Sequence, residues 1–261
     1  VALEWDAASY EALADPMTRW GEEFLGGLEL RGDEVVVDAG CGTGRVTELL
    51  LGRLPEGRVV AVDASREMVE AAGRRFAGEG RVRVLRQDLL ELDIGEEADV
   101  IFSTATFHWI PDHARLFRAL ARNLKPGGTL AAQCGGAGNI SRVGRALRGV
   151  MEEEPFRGYF EGWEDTKHYP APEEERALLQ ESGFVEVEAR LLEKPTPFAG
   201  EEALARYLEA VILRAHLMRL PRGMRRPFAQ AVAGRMAKEE GLEIDYVRLN
   251  MLARKKEADD E

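Results

Sequence analysis

Apolar and polar positions along the chain change period in a regular way. VVVDAG at 35 to 40 is an unbroken apolar run that ends in an acid and a glycine, the pattern of a strand buried on both faces, and RVTELLLGRL at 45 to 54 follows with helical spacing. VVAVD at 59 to 63 predicts a second strand, after which Ser65 caps a helix carrying Met68, Val69 and Ala72 on one face. Val82 and Val84 belong to a third strand, ADVIF at 98 to 102 to a fourth and TLAAQ at 129 to 133 to a fifth. Between the last two, Ala114, Phe117, Leu120, Ala121 and Leu124 line one helical side, which Gly127 and Gly128 end. Such alternation of strand and helix predicts a mostly parallel sheet covered on both faces.

Outside this stretch the rhythm loosens. Residues 5 to 30 place Trp5, Tyr10, Met17, Trp20, Phe24 and Leu28 at partly helical spacing, which predicts one or two short helices closing over the larger body. The segment 135 to 170 gathers Phe156, Tyr159, Phe160, Trp163 and Tyr169 near several glycines, as a pocket wall or as a packed insert. Pro172 opens the helix PEEERALLQE and Gly183 ends it. Late strands are expected at 184 to 189 and 244 to 253, with helices over 201 to 217 and 225 to 240 between them. No fixed-period repeat interrupts the chain, so the expectation is one domain over 1–261, with a core at 35–133 and embellishments at 135–170 and 190–243.

Charge and cysteine usage narrow the classes of function. The 35 Lys and Arg against 47 Asp and Glu leave a formal charge of −12, which argues against a broad grip on the phosphate backbone of nucleic acid. Arg142, Arg145 and Arg148, and separately Arg219, Arg222, Arg225 and Arg226, are local exceptions, either solvated helix faces or receivers of an anionic small molecule. Cys41 and Cys134 make neither a disulfide framework nor a zinc cluster, and the four histidines are scattered, so no metal is expected. No apolar run of 18 residues occurs and no basic leader precedes a hydrophobic one, which points away from the membrane and toward the cytoplasm.

The candidate chemistry lies in DAGCGTG at 38 to 44, where glycines after a buried strand permit a tight turn and bring a ligand close to backbone N–H groups. The spacing is neither that of the phosphate loop nor the full dinucleotide fingerprint, so it serves a nucleotide-like ligand or a packing turn. Asp63 ends the second strand, where a carboxylate can accept from both hydroxyls of a ribose. Asp88 and Leu89 follow the third strand, placed to accept from an exocyclic amine and to pack on a base; like Asp38, these acids also suit turn capping.

Taken together, VVDAGCGTGR at 36 to 45, VVAVDAS at 59 to 65, RQDLLEL at 86 to 92 and LKPGGTL at 124 to 130 resemble the class I S-adenosylmethionine-dependent methyltransferases. Within them FHWIPDHARLFRALARNLKPGG and an early WDAASY are similar to the trans-aconitate methyltransferase type of small-molecule enzyme. The resemblance implies a three-layer α/β/α fold with a mostly parallel seven-stranded sheet and one antiparallel late strand. It also implies S-adenosylmethionine as cofactor and S-adenosylhomocysteine as product. By it Asp38, Gly40, Gly42 and Gly44 would hold the amino-acid part of the cofactor, Asp63 the ribose with Ala64 and Met68 nearby, Asp88 and Leu89 the adenine, and Thr104 the methionine moiety. Phe107, His108 and Trp109 would face the methyl donor or acceptor, and Tyr10 would reach an acceptor carboxylate or the cofactor. His108 is the candidate base for a phenol or amine acceptor, whereas a carboxylate needs none. The expected activity is methyl transfer to oxygen of a small organic molecule by a monomer or homodimer; transfer to nitrogen or carbon, or cofactor binding without catalysis, are the alternatives.

Overall fold

The computed structural model describes residues 15–258, so Trp5 and Tyr10 lie outside the described residues. Val35, Val36, Val37 and Ala39 are all buried because β1 (Val35–Ala39) runs through the middle of a sheet, parallel to β2 (Arg58–Asp63) on one side and β4 (Ala98–Thr104) on the other. β3 (Val82–Arg86) closes the β2 edge in parallel, and β5 (Leu124–Gly135) pairs in parallel with β4. Beyond β5, β9 (Val247–Lys255) inserts antiparallel between β5 and β6 (Phe184–Glu193), giving the order β3-β2-β1-β4-β5-β9-β6. This is the expected seven-stranded, mostly parallel sheet with one antiparallel late strand. A two-stranded ribbon of β7 (Thr196–Pro197) and β8 (Glu243–Ile244), not anticipated, sits apart from it.

The helices cover both faces. α1 (Asp15–Gly26) and α2 (Arg45–Gly52), with the residues just past their C-terminal ends, bury Leu25, Leu28, Leu50 and Leu54 against Val36, Val59 and Phe102. α3 (Arg66–Arg75) packs on β2 and β3, and the Ser65 hydroxyl caps it by accepting from Met68 N at 3.4 Å, as the sequence predicts. α4 (His113–Arg122) and α7 (Pro172–Glu181) bury Leu116, Phe117, Leu120 and Leu179 on the opposite face. A third cluster joins α5 (Ser141–Met151), α6 (Arg157–Phe160), α8 (Glu201–Tyr207) and α10 (Arg222–Glu239) to Met17 and Trp20, forming a helical cover over the C-terminal edge of the sheet.

Three stretches differ from expectation, the first two for identifiable reasons. α4 ends at Arg122 rather than at the glycine pair, because Asn123 turns inward: its amide donates to Leu92 O and Ala119 O and accepts from Ile94 N. Leu124 already belongs to β5, and Lys125 to Gly128 are the extra residues between the pairs Ala98 with Leu124 and Val100 with Thr129, a bulge that needs Gly127 at φ +70°. The late strand splits because the Asp245 carboxylate turns aside to accept from Ser141 Oγ and Arg142 N at the start of α5. The helix expected over 201 to 217 is broken by a π turn, Leu208–Ile212, before α9 (Arg214–Arg219).

Candidate functional site

Parallel strands deliver their C-terminal residues to one edge, and the order of strands reverses between β1 and β4, so a crevice opens there. The chain leaves β1 through a turn in which Gly40 N and Cys41 N donate to Val62 O at 2.8 and 2.9 Å. Gly40 must be glycine: at φ +84° a Cβ would stand 2.1 Å from Thr106 Oγ1. Gly42, at φ +55°, has no atom within 4 Å of where a Cβ would be, so the turn offers open space to whatever lies against it. Asp63 at the end of β2 braces this turn, one carboxylate oxygen accepting from Gly42 N at 2.9 Å and the other from Ser65 N at 2.9 Å.

A cavity of about 480 Å³ runs from this turn under the helical cover. Its first end is lined by Gly40, Gly42, Asp63, Ala64, Met68, Asp88, Leu89 and Thr104, eight of the ten predicted cofactor residues. Asp38 and Gly44 are not on the wall. Asp38 is buried beneath the turn, where it accepts from Thr47 Oγ1 at 2.6 Å; burial, opposed by that hydrogen bond and aided by the nearby Asp63, pushes its pKa up to about 7. Gly44 begins α2, packed so that a Cβ would meet Phe76 at 2.5 Å.

The other end of the cavity is built by residues that are distant in sequence. His108 and Trp109 line it, but Phe107 does not: its ring points into the sheet-side core, edge-on to His113 and Phe117 at 6.4 and 6.2 Å. His108 is buried and stacks on Tyr169 at 5.8 Å, and its Nδ1 accepts from Gly135 N at 3.3 Å. Burial first, then the charges of Arg248 and Lys167, hold its pKa well below the usual imidazole value. The ring is therefore neutral at pH 7, and the Gly135 hydrogen bond assigns its remaining proton to Nε2, making it a donor. Lys167, its side chain 5% exposed, pairs with Asp165 at 2.8 Å and lies 5.0 Å over the Trp109 ring.

Arg248, on β9, also lines the cavity and was not foreseen. It is 2% exposed, its guanidinium carbon lies 5.3 Å from the Trp20 ring centroid, and its Nε has no hydrogen-bond partner. The sequence signal was a single arginine within the otherwise strand-like IDYVRLNMLA. The two arginine-rich stretches lie elsewhere: Arg142 and Arg145 pair with Glu243 and Glu240, and Arg226 with Glu202 and Glu209.

Among the described residues His113, His168 and Glu175 bring ligand-type atoms within 4.8 Å of one another. Both ring nitrogens of His113 are already used, Nδ1 on Glu175 at 2.7 Å and Nε2 on the Phe107 carbonyl at 3.0 Å, so the cluster works as an ion pair bracing the Phe107–Trp109 turn. Among the described residues no helix is long and apolar enough to cross a membrane.

Comparison with known proteins agrees with this geometry. Residues 36–128 match the family described as a methyltransferase domain. Trans-aconitate 2-methyltransferase of Sinorhizobium fredii is 30% identical over 233 residues, 88% of each chain. The enzyme of the same name from Methylobacterium nodulans is 39% identical over 154 residues, 59% of this chain and 58% of that protein. A match of the same name from Azoarcus spans 50% of its protein, so the chain aligns with little more than half the length of these last two relatives. Among solved structures, YcgJ of Bacillus subtilis superposes with a TM-score of 0.64 at 16% identity, covering 92% of this chain and all of that one. Phosphoethanolamine N-methyltransferase 2 of Haemonchus contortus, in complex with S-adenosylmethionine, gives 0.64 at 18% identity, covering 97% of this chain and 57% of that one.

Proposed function

The chain belongs to the class I S-adenosylmethionine-dependent methyltransferases, and we propose from that membership that it methylates a carboxylate oxygen of a small organic acid. The residues at the first end of the cavity suit the cofactor. The open face at Gly42 leaves room for the ligand that a side chain would fill, the Asp63 carboxylate braced by Gly42 N and Ser65 N lines the cavity where ribose hydroxyls would donate to it, and Met68 and Leu89 provide apolar walls beside Asp88 for the base. Asp38 would act from beneath by setting the charge of the turn, and Thr104 closes the end of β4.

One observation carries the choice of acceptor: among the described residues, none of the side chains at the second end of the cavity is fitted to remove a proton at neutral pH. His108 is neutral with Nδ1 occupied by Gly135 N–H, burial pushes the Tyr169 phenol well up, and Lys167 is tied to Asp165. An acceptor must then arrive already anionic, as a carboxylate does above its pKa of about 4–5. When bound, the cofactor would supply an electrophilic methyl on sulfonium, which a carboxylate oxygen could accept, the C–S electron pair staying on sulfur, without the protein having to move a proton. The protein's part is to orient and to exclude water. His108 Nε2–H and the Trp109 ring serve as positioning groups, with the helical cover over 135–170 and 190–243 shaping the acceptor end.

With cofactor saturating, kcat for conversion of trans-aconitate to a methyl ester should vary less than about threefold between about pH 6.5 and 8.5, because the acceptor is ionised throughout. Product formation is read by base-labile ester and S-adenosylhomocysteine. A tenfold climb in kcat per pH unit across that range would mean an enzyme base and overturn the carboxylate reading.

A further inference from the structure

Arg248 is the one buried cation on the cavity wall for which the described residues supply no counter-ion. Lys167, the other, has Asp165 at 2.8 Å. The ionisable groups whose fields reach Arg248 are the thiol of Cys134 and the phenols of Tyr169, Tyr207 and Tyr246, with neutral His108 beside them. Those groups are uncharged at pH 7: burial drives Cys134 up to about 12 and raises Tyr169 and Tyr246. Even arginine's pKa is lowered here, by burial. A guanidinium taken out of water without a carboxylate or a full set of acceptors is costly, and proteins keep such a group where a ligand completes it.

Position says which part of the ligand that is. Gln133 pairs with Thr104 on one side and with Asn250 on the other, and Arg248 pairs with Gly135 two residues further along β5. Arg248 therefore stands two strands from the end of β4, roughly 10 Å at the backbone. The methyl would be presented near the end of β4, so the guanidinium, reaching back into the cavity, is set for a group a few carbons from the reacting oxygen. Resting on the carboxylate reading above, we propose that Arg248 binds a second, non-reacting carboxylate of the acceptor, and so selects di- and tricarboxylates over monocarboxylates. Its planar fork, backed by the Trp20 ring, matches a carboxylate with two parallel hydrogen bonds.

The test compares wild type with Arg248→Met, of similar length and uncharged, and with Arg248→Lys, using trans-aconitate and the monocarboxylate crotonate. Without ligand, Arg248→Met should melt at the same temperature as wild type or a few degrees higher, since an unpaired buried charge is gone. Trans-aconitate should raise the melting temperature of wild type and leave that of Arg248→Met unmoved. The ratio of kcat/KM for trans-aconitate over crotonate should fall at least thirtyfold in Arg248→Met and be partly restored in Arg248→Lys. An unchanged ratio, or equal stabilisation of both proteins by trans-aconitate, overturns the assignment of Arg248 while leaving carboxylate methylation standing. If wild type methylates neither acid, the carboxylate reading falls, and the role of Arg248 as an anion receiver is then decided by the melting shifts alone.

Discussion

Asp38 sits where ionisation is disfavoured from two directions: it is buried, and Asp63 lies close by, with only the Thr47 hydroxyl helping its anion. Its folded pKa of about 7 exceeds that of an unfolded aspartate, so the folded state holds a proton that the unfolded chain has lost. Stability from this group is complete below about pH 4, declines as pH rises to about 7 and is flat above, a span on the order of 4 kcal/mol. Asp38→Asn should then stabilise the ligand-free protein at pH 8 by most of that amount and have little effect near pH 4, as denaturant melts at the two pH values would show. Binding a cationic cofactor over the turn should also favour the Asp38 anion, releasing up to roughly half a proton at pH 7, measurable by calorimetry in buffers of different ionisation enthalpy. Asp63→Ala removes the acceptors that hold Gly42 N and Ser65 N as well as the carboxylate proposed to receive the ribose. Its cofactor affinity should drop at least tenfold, about 1.4 kcal/mol; unaltered affinity would remove Asp63 from the site.

Elements decide how side chains arrive. The Phe107–Trp109 turn carries His108 and Trp109 into the cavity because His113, at the start of α4, holds the Phe107 carbonyl while Glu175 on α7 holds His113. Burial pushes the His113 imidazole down, but the hydrogen bond and charge of Glu175, with the Phe107 carbonyl, outweigh it and keep its pKa above the usual value. The raised pKa contributes stability that is present below about pH 6.5 and is lost as pH rises through the folded value. Glu175→Ala leaves that imidazolium buried without its partner and should cost about 3–5 kcal/mol in unfolding experiments at pH 6. The strands and helices up to β5 were legible in the sequence because each apolar period belongs to one local segment. The end of α4, the β5 bulge and the break after Ile244 were not, since Asn123, Gly127 and Asp245 act through partners far along the chain. Phe107 packs away from the cavity for a related reason: three consecutive aromatic residues on a tight turn cannot all face one way, and spacing alone does not say which turns inward.

At the scale of the molecule, a chain of formal charge −12 encloses a cavity whose buried charges at the end proposed for the acceptor include Arg248 and Lys167. The end of that cavity at Gly40, Gly42 and Asp63 was readable from strand–turn–helix motifs, whereas Arg248 was hidden within a strand pattern, and only its burial without a counter-ion among the described residues marks it. A trianionic acceptor approaching this surface meets repulsion at long range and attraction only inside. Raising ionic strength from about 10 to 150 mM should therefore raise kcat/KM for trans-aconitate roughly two- to fivefold, acting on KM, with a smaller effect for crotonate. β9 adds a constraint of timing. Within the seven-stranded sheet β6 pairs with β9 alone, and β9 follows it by more than fifty residues. A ribosome thus releases the first five strands of the sheet, with the glycine turn and Asp63, well before β6 has its partner, and Arg248 arrives only with the last strand. During synthesis the chain holds the parts proposed for a nucleoside before it holds the proposed anchor for an acid.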